Sequence, residues 1–256
     1  STGYKKLIPK KAKFFKMDLN QTKKINEVIK RENIDIIIHL AAKLSLQEAQ
    51  KRPKYYYKNN VEGTVSLLKS IKKTNVKLII FSSTAAVYSG NNVIECKETL
   101  VPKPKNLYGK TKLIGEKKIL NFAENNKIKS VILRYFNVVG ASKTNKIGPI
   151  KDYGQLFKKL SKSILKSKPT ISIFGDNHKT YDGTCERDFI DINDIVNIHK
   201  LIIKNKLKIK KNIIMNCGYG NGISVLKIIK YFENIAKKPI DIKILEKRKN
   251  EISNIY

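Results

Sequence analysis

The chain has 256 residues, 41% of them hydrophobic, and a formal net charge of +32, enough apolar material for one large or two small globular domains. Only five of its 53 basic residues are arginine and the lysines are spread evenly, which argues against a dedicated nucleic-acid reader built on arginine forks; Lys, Asn and Ile abundance is what an AT-rich coding sequence gives. Runs such as "IDIIIHLAA" are too short to span a bilayer, no signal peptide is visible, and three scattered cysteines form no disulfide framework or metal cluster, which points to a reducing, cytosolic setting without membrane attachment.

In chain order, short apolar runs alternate with amphipathic helical patterns. Strands are expected at 13–18, 34–40, 76–83 and 130–136, and helices at 20–31, 58–73 and 107–126. Continuous apolar strands separated by helices indicate a parallel sheet buried on both faces, so this half reads as a doubly wound α/β domain. Beyond residue 140 the pattern is smaller and more mixed. A Gly/Ser/Asn-rich loop precedes a helix at 152–166, a strand at 170–175 and a helix at 192–205. Then come "NIIMNCG", a helix at 223–236 and a strand at 240–245.

Ligands bind beyond the carboxyl ends of the strands in open parallel sheets. Four such ends carry chemistry: Asp18 in "MDLN", the "HLAAK" stretch, "FSSTAAVY", and "RYFNVVG". Small Ala41 and Ala42 let a flat or phosphorylated ligand approach the backbone, or simply pack under a helix. Ser82, Ser83 and Thr84 offer hydroxyls, or cap a turn.

"NLYGKTKL" opens the helix at 107–126. Tyr108 and Lys112 are four positions apart and share a helix face. An ammonium near a phenol favours the phenolate, and a phenol so shifted can exchange a proton with a sugar or alcohol hydroxyl. The spacing alone proves little: with this much lysine, roughly two of the 12 tyrosines would show it by chance. The case rests on the neighbouring motifs.

The ordered phrases "IDIIIHLAA", "PKYYYKNNVEGTVSLL", "FSSTAAVY", "LYGKTKL", "LRYFNVVGA", "IFGDNHKTYDGTCERDFIDINDI" and "NCGYGNGISVL", with "KR" before Glu251, resemble the extended short-chain dehydrogenase/reductase superfamily. Within it they are most similar to the UDP-glucose 4-epimerase family, and "IFG…DGT…RDFI" discriminates most. Ala85 and Ala86 stand where nucleotide-sugar dehydratases carry acidic residues, which disfavours dehydration.

The resemblance implies a Rossmann-type domain at 1–140 that binds NAD. It implies a smaller mixed α/β domain at 141–256 for a UDP-sugar, with 188–220 returning to the first domain. It implies Tyr108 as general base for the sugar O4 proton, Lys112 as the group that lowers its pKa and holds the nicotinamide ribose, and Thr84 as a hydrogen-bond partner of O4. Asp18, Leu19, Leu40, Ala41, Ala42, Lys43, Leu44, Asn59, Thr84, Tyr108, Lys112 and Phe136 would line the NAD site. Thr84, Tyr108, Asn137, Arg187 and Arg248 would hold the UDP-sugar; guanidinium forks suit a diphosphate. Hydride would leave C4 for NAD and return to the other face of a 4-keto sugar. Met215 falls near the family position that screens an N-acetyl group. The family is homodimeric, with helices 58–73 and 107–126 as the expected contact. Tyr88, His39 and the Tyr55–Tyr57 run are read as packing or supporting residues, and no metal is expected.

The family pattern starts with a strand and a glycine-rich turn, and no G-x-x-G-x-x-G occurs here. The expectation is a partial sequence lacking the first β-α-β unit of roughly 30 residues, and also a C-terminal strand and helix. Alternatives are another nucleotide-sugar epimerase or decarboxylase of the superfamily, or a non-catalytic remnant.

Overall fold

A computed structural model describes residues 3–91, 95–150, 154–248 and 252–256. In chain order they form α1 (Thr22–Arg31), β1 (Ile36–His39), α2 (Leu46–Lys51), α3 (Pro53–Tyr57), α4 (Gly63–Ile71), β2 (Leu78–Thr84), α5 (Leu107–Asn125), β3 (Lys129–Tyr135) and β4 (Asn137–Val139). There follow α6 (Leu156–Ser163), β5 (Thr170–Phe174), β6 (Glu186–Arg187), β7 (Phe189–Asp191), α7 (Ile192–Lys204), β8 (Ile213–Cys217), β9 (Ile223–Ser224), α8 (Val225–Ala236), β10 (Asp241–Leu245) and β11 (Asn254–Ile255).

The central sheet is parallel, in the order β1-β2-β3-β8. Its alternating residues face two cores, as strand geometry requires. Ile79, Phe81 and Ile132 point to one side and pack with Ile25 and Ile29 of α1, Leu67, Leu68 and Ile71 of α4, and Ile119 of α5. Leu78, Ile80, Val131 and Leu133 point to the other and pack with Ile195 and Ile202 of α7. Each of these side chains, removed from water, contributes roughly 1.5–3 kcal/mol. The fold is thus doubly wound, with helices on both faces of a parallel sheet. A third cluster joins Leu160 of α6, Ile171 and Ile173 of β5, Ile228 and Ile229 of α8, and Ile240. Phe157 supports it, its ring 5.2 Å from that of Phe189 and 5.5 Å from that of Phe232.

The expected strand at 13–18 does not form. Its residues pair with neither edge strand, β1 or β8, and Phe14 and Phe15 stay exposed. A strand exists only by pairing, and an apolar run does not supply the partner. Cations cover the two rings instead: Lys5 lies 5.9 Å from the centre of Phe14 and Arg31 lies 5.2 Å from that of Phe15. The helix expected at 58–73 is longer and composite, running from α3 through a π-helical turn (Lys58–Glu62) into α4. Pro53 starts it, where a missing N–H costs nothing. The helix expected at 152–166 is α6; Asp152, Tyr153 and Glu251 lie outside the described residues.

Candidate active site

Two local devices place Tyr108. The side chain of Asn106 accepts a hydrogen bond from the Gly109 amide at 2.7 Å and caps α5, leaving Tyr108 in the first turn. Glycine at 109 then lets that turn press onto the 85–88 turn, because a Cβ there would come within 2.6 Å of the Ala86 carbonyl oxygen. The same contact brings Tyr108 beside Thr84, the last residue of β2, whose side chain favours the phenolate. Thr84 also accepts from the Ala86 amide at 3.2 Å, so its capping and site readings both hold.

Lys112 is buried one helical turn on. Its Nζ donates to the Ser82 carbonyl at 2.6 Å and sits 4.7 Å from the centre of the Phe81 ring. Burial pushes the ammonium down to about 8, and the charge of Glu116 works in the opposite direction. Burial likewise pushes the Tyr108 phenol up to about 12, against the pull of the Thr84 side chain. The expected lowering of Tyr108 by Lys112 is therefore not what this geometry gives. The ammonium is turned to the Ser82 carbonyl, and loss of water around the phenol dominates.

A buried polar chain that sequence reasoning missed lies directly beneath. Ser83 donates a short hydrogen bond to Glu116, which also receives Arg134 Nε at 3.1 Å and Nη2 at 2.7 Å. Arg134 Nη1 donates to the Tyr88 hydroxyl at 2.6 Å, and Tyr88 donates to Asn216 of β8 at 2.9 Å. The signal was faint but present: Arg134 is one of five arginines, and Glu116 is an acid on the same face as Lys112.

The loop after β1 carries Leu40, Ala41, Ala42, Lys43 and Leu44, with Leu40 and Leu44 exposed. Its anchor is Asn60, a buried residue the sequence reading passed over. Asn60 Oδ1 accepts from the Lys43 amide at 2.8 Å, and Nδ2 donates to the Lys43 carbonyl at 3.1 Å and to Thr111 of α5 at 3.1 Å. Asn59, singled out from sequence, bonds the Tyr55 carbonyl within its own helix at 2.8 Å. Asp18 accepts from the amide and side chain of Asn20, both at 2.9 Å, in an exposed turn leading to α1, and Leu19 packs on the first core. Phe136 is buried with Ala85, Val87, Tyr88 and Ile255. His39 is a satisfied core histidine. Its Nε2 faces Thr64 Oγ1 at 2.9 Å, Thr64 gives its proton to the Asn60 carbonyl, and burial holds the imidazole neutral, down to about 3.

Asn137, Arg187 and Arg248 come together around a cavity of about 200 Å³, with Gln155, Lys159, Phe174, Cys185 and Phe189 in its walls. Arg248 stacks on Phe174 at 3.8 Å. Arg187 is more committed than expected, donating to the backbone carbonyls of Glu186, Ile252 and Ser253 at 2.7, 2.6 and 3.1 Å. It holds the segment at 252–253 as well as facing the cavity. Met215 does not line it: it sits mid-strand in β8 opposite Leu133, packed on the second core. A larger cavity of about 640 Å³, walled by Ala123, Lys127, Lys129, Lys210 and Asn212, lies at the amino ends of β3 and β8. Size is the weaker criterion here, because ligands of open α/β sheets bind at the carboxyl ends, where Tyr108 lies.

Residues 1–218 match the model of the NAD dependent epimerase/dehydratase family. The chain belongs to that family. It is 36% identical over 239 residues to a UDP-glucose 4-epimerase of Lactobacillus helveticus, covering 92% of this chain and 72% of that protein. The family likeness extends to three dimensions. A UDP-glucose 4-epimerase from Bifidobacterium longum, solved in complex with NAD+ and UDP, superposes with a TM-score of 0.86 at 33% identity, over 94% of this chain and 73% of that one. One from Stenotrophomonas maltophila, with bound NAD and formylated UDP-arabinopyranose, gives 0.88 at 30% identity, over 95% and 73%. The donor set suits the ribose and nicotinamide end of a dinucleotide: an ammonium and a phenol on the first turns of α5 and a hydroxyl at the end of β2, beside a loop whose backbone Asn60 fixes.

Proposed function

We propose that this chain catalyses NAD-dependent 4-epimerisation of a UDP-hexose, interconverting UDP-galactose and UDP-glucose through a 4-keto intermediate. The observation that carries the reading is the placement of Tyr108 beside Thr84 at the carboxyl end of β2, one turn from the buried Lys112 ammonium. Tyr108 exchanges the O4 proton and Thr84 bridges phenol and O4. Lys112 provides a buried positive charge beside the end of β2 and donors for the ribose hydroxyls. When bound, NAD supplies the hydride acceptor and donor. Asn137, Arg187 and Arg248 hold the nucleotide, the two guanidiniums toward the diphosphate. Leu40 to Leu44, Asn59, Phe136, Asp18 and Leu19 serve the cofactor side.

In this reading residues 1–140, with 188–220, form the NAD-binding part and the rest of 141–256 the sugar-nucleotide part. The active form is a homodimer in the cytosol, joined through the helical faces at 58–73 and 107–126. Among the described residues no helix is long and apolar enough to cross a membrane.

A UDP-arabinose 4-epimerase 1 of Arabidopsis thaliana is 31% identical over 253 residues, which favours UDP-pentose turnover as the second reading. Incubation with UDP-galactose, UDP-glucose, their N-acetyl forms and UDP-arabinose, with products separated by chromatography, decides between them. C4 inversion of UDP-galactose is expected. Turnover of UDP-arabinose alone moves the assignment to the pentose, and no inversion of any of them removes it.

A further inference from the structure

β2 ends in three consecutive residues that each meet a different part of α5. The Ser82 carbonyl holds Lys112, the Thr84 side chain lies beside Tyr108, and between them Ser83 donates to Glu116. Tyr108, Lys112 and Glu116 are spaced four apart, so they climb one face of the helix. Glu116 is 1% exposed, and its partner from the sheet is fixed by strand register, because Arg134 of β3 lies directly opposite Ser83 of β2. The guanidinium grips both carboxylate oxygens and is itself held through Tyr88 to Asn216 of β8. Three strands of the sheet thus converge on one carboxylate of the catalytic helix.

We propose that Glu116 is a positioning residue for the reaction: gripped by Ser83 and Arg134, it fixes α5 against the end of β2 and sets a buried negative charge one turn behind the Lys112 ammonium. The inference rests on the roles given above to Tyr108 and Lys112. A carboxylate that only stabilised the fold could equally be an apolar side chain, since buried ion pairs are often replaceable without loss of stability. Here the charge has a second use. The neighbours of Lys112 on the sheet give it no negative charge: the Phe81 ring and Ser82 carbonyl on β2 and neutral His39 on β1. Burial favours loss of its proton, and Glu116 opposes this. Without that charge the lysine would be neutral over more of the alkaline range, and the end of β2 would lose its buried cation at lower pH.

The test is the pH profile of kcat for UDP-galactose in wild type, Glu116→Gln, Glu116→Asp, Ser83→Ala and Tyr108→Phe, with thermal melts and circular dichroism on each. Glu116→Gln keeps shape and hydrogen-bonding atoms but removes the charge. It should lower kcat about 10- to 100-fold, leave KM within about twofold, and move the alkaline limb to lower pH by about one unit. Glu116→Asp keeps the charge at a shorter reach, so it should lose kcat while keeping the wild-type alkaline limb. A folded Glu116→Gln enzyme with the wild-type kcat and profile overturns the proposal. If Glu116→Gln does not fold, Ser83→Ala decides: it removes one grip on the carboxylate and should lower kcat several-fold at unchanged KM, and an unaltered kcat overturns the proposal. Tyr108→Phe separates the two levels, because turnover retained in that variant refutes the underlying assignment whatever Glu116 does.

Discussion

The first turn of α5 rests on the Ala86 carbonyl, so closely that a Cβ at Gly109 would lie 2.6 Å from that oxygen. Backbone meets backbone there, and neither side can yield by rotating a side chain. Gly109→Ala should push the helix start away from the 85–88 turn and carry Tyr108 with it. Overpacking of this kind costs about 1–3 kcal/mol, and a displacement near 1 Å of a reacting group costs about 100-fold in rate. Urea melts and kcat for UDP-galactose should fall together; unchanged kcat would show that the contact does not set the position of Tyr108.

Tyr108→Phe removes a hydroxyl that lies beside the Thr84 side chain. Turnover should drop about 100- to 10,000-fold, the range expected for losing an acid/base group. The melting temperature should change little, since the half-buried ring keeps its packing. Turnover of the folded variant at the wild-type rate would refute the acid/base role of Tyr108.

Lys112 links activity to a stability signature. Its folded value is pushed down to about 8 from an ordinary 10.5, so between those values the unfolded chain holds more protons than the folded one. Stability from this residue therefore rises with pH through that window, by on the order of 2 kcal/mol from pH 8 to 10. Tyr108 works the other way only above its unfolded value near 10, because its folded value is raised. Chemical denaturation of wild type and Lys112→Met at pH 7.5 and 9.5 should show wild type gaining relative to the variant. An equal difference at both pH values would mean the ammonium is not desolvated as its burial implies.

Asn60 satisfies both backbone groups of Lys43 and ties that loop to Thr111 of α5. Asn60→Ala removes these three hydrogen bonds, at about 1–3 kcal/mol. NAD affinity measured by calorimetry should weaken more for Asn60→Ala than for Asn59→Ala, whose side chain bonds only within its helix. The reverse order would return the cofactor contact to Asn59.

Arg187 joins the cavity wall to residues 252–253 through three carbonyl acceptors. Lysine cannot form that planar fork. Arg187→Lys should raise KM for UDP-galactose by about tenfold with a smaller change in kcat, the pattern of lost ground-state binding. A fall in kcat alone would place Arg187 in positioning and not in nucleotide binding.

Local chemistry made much of this molecule legible. The parallel sheet was readable because strands buried on both faces must be apolar along their middles, as Leu78–Phe81 and Val131–Leu133 are, and α5 because the helical pattern starts at "NLYGKTKL". The same logic failed at residues 13–18, where an apolar run lacks a partner to pair with. Tyr108, Thr84 and Lys112 could be named from their order along the chain, and so could the three residues that meet at the 200 Å³ cavity. What the sequence could not decide is which groups each side chain spends its bonds on. Lys112 turns to a backbone carbonyl, Arg187 spends donors on residues 252–253, Asn60 and not Asn59 holds the loop, and Met215 packs in the sheet. Those choices depend on distances between segments far apart in the chain. The Ser83–Glu116–Arg134 junction, spanning 51 residues in three separate elements, exists only once the sheet register is set.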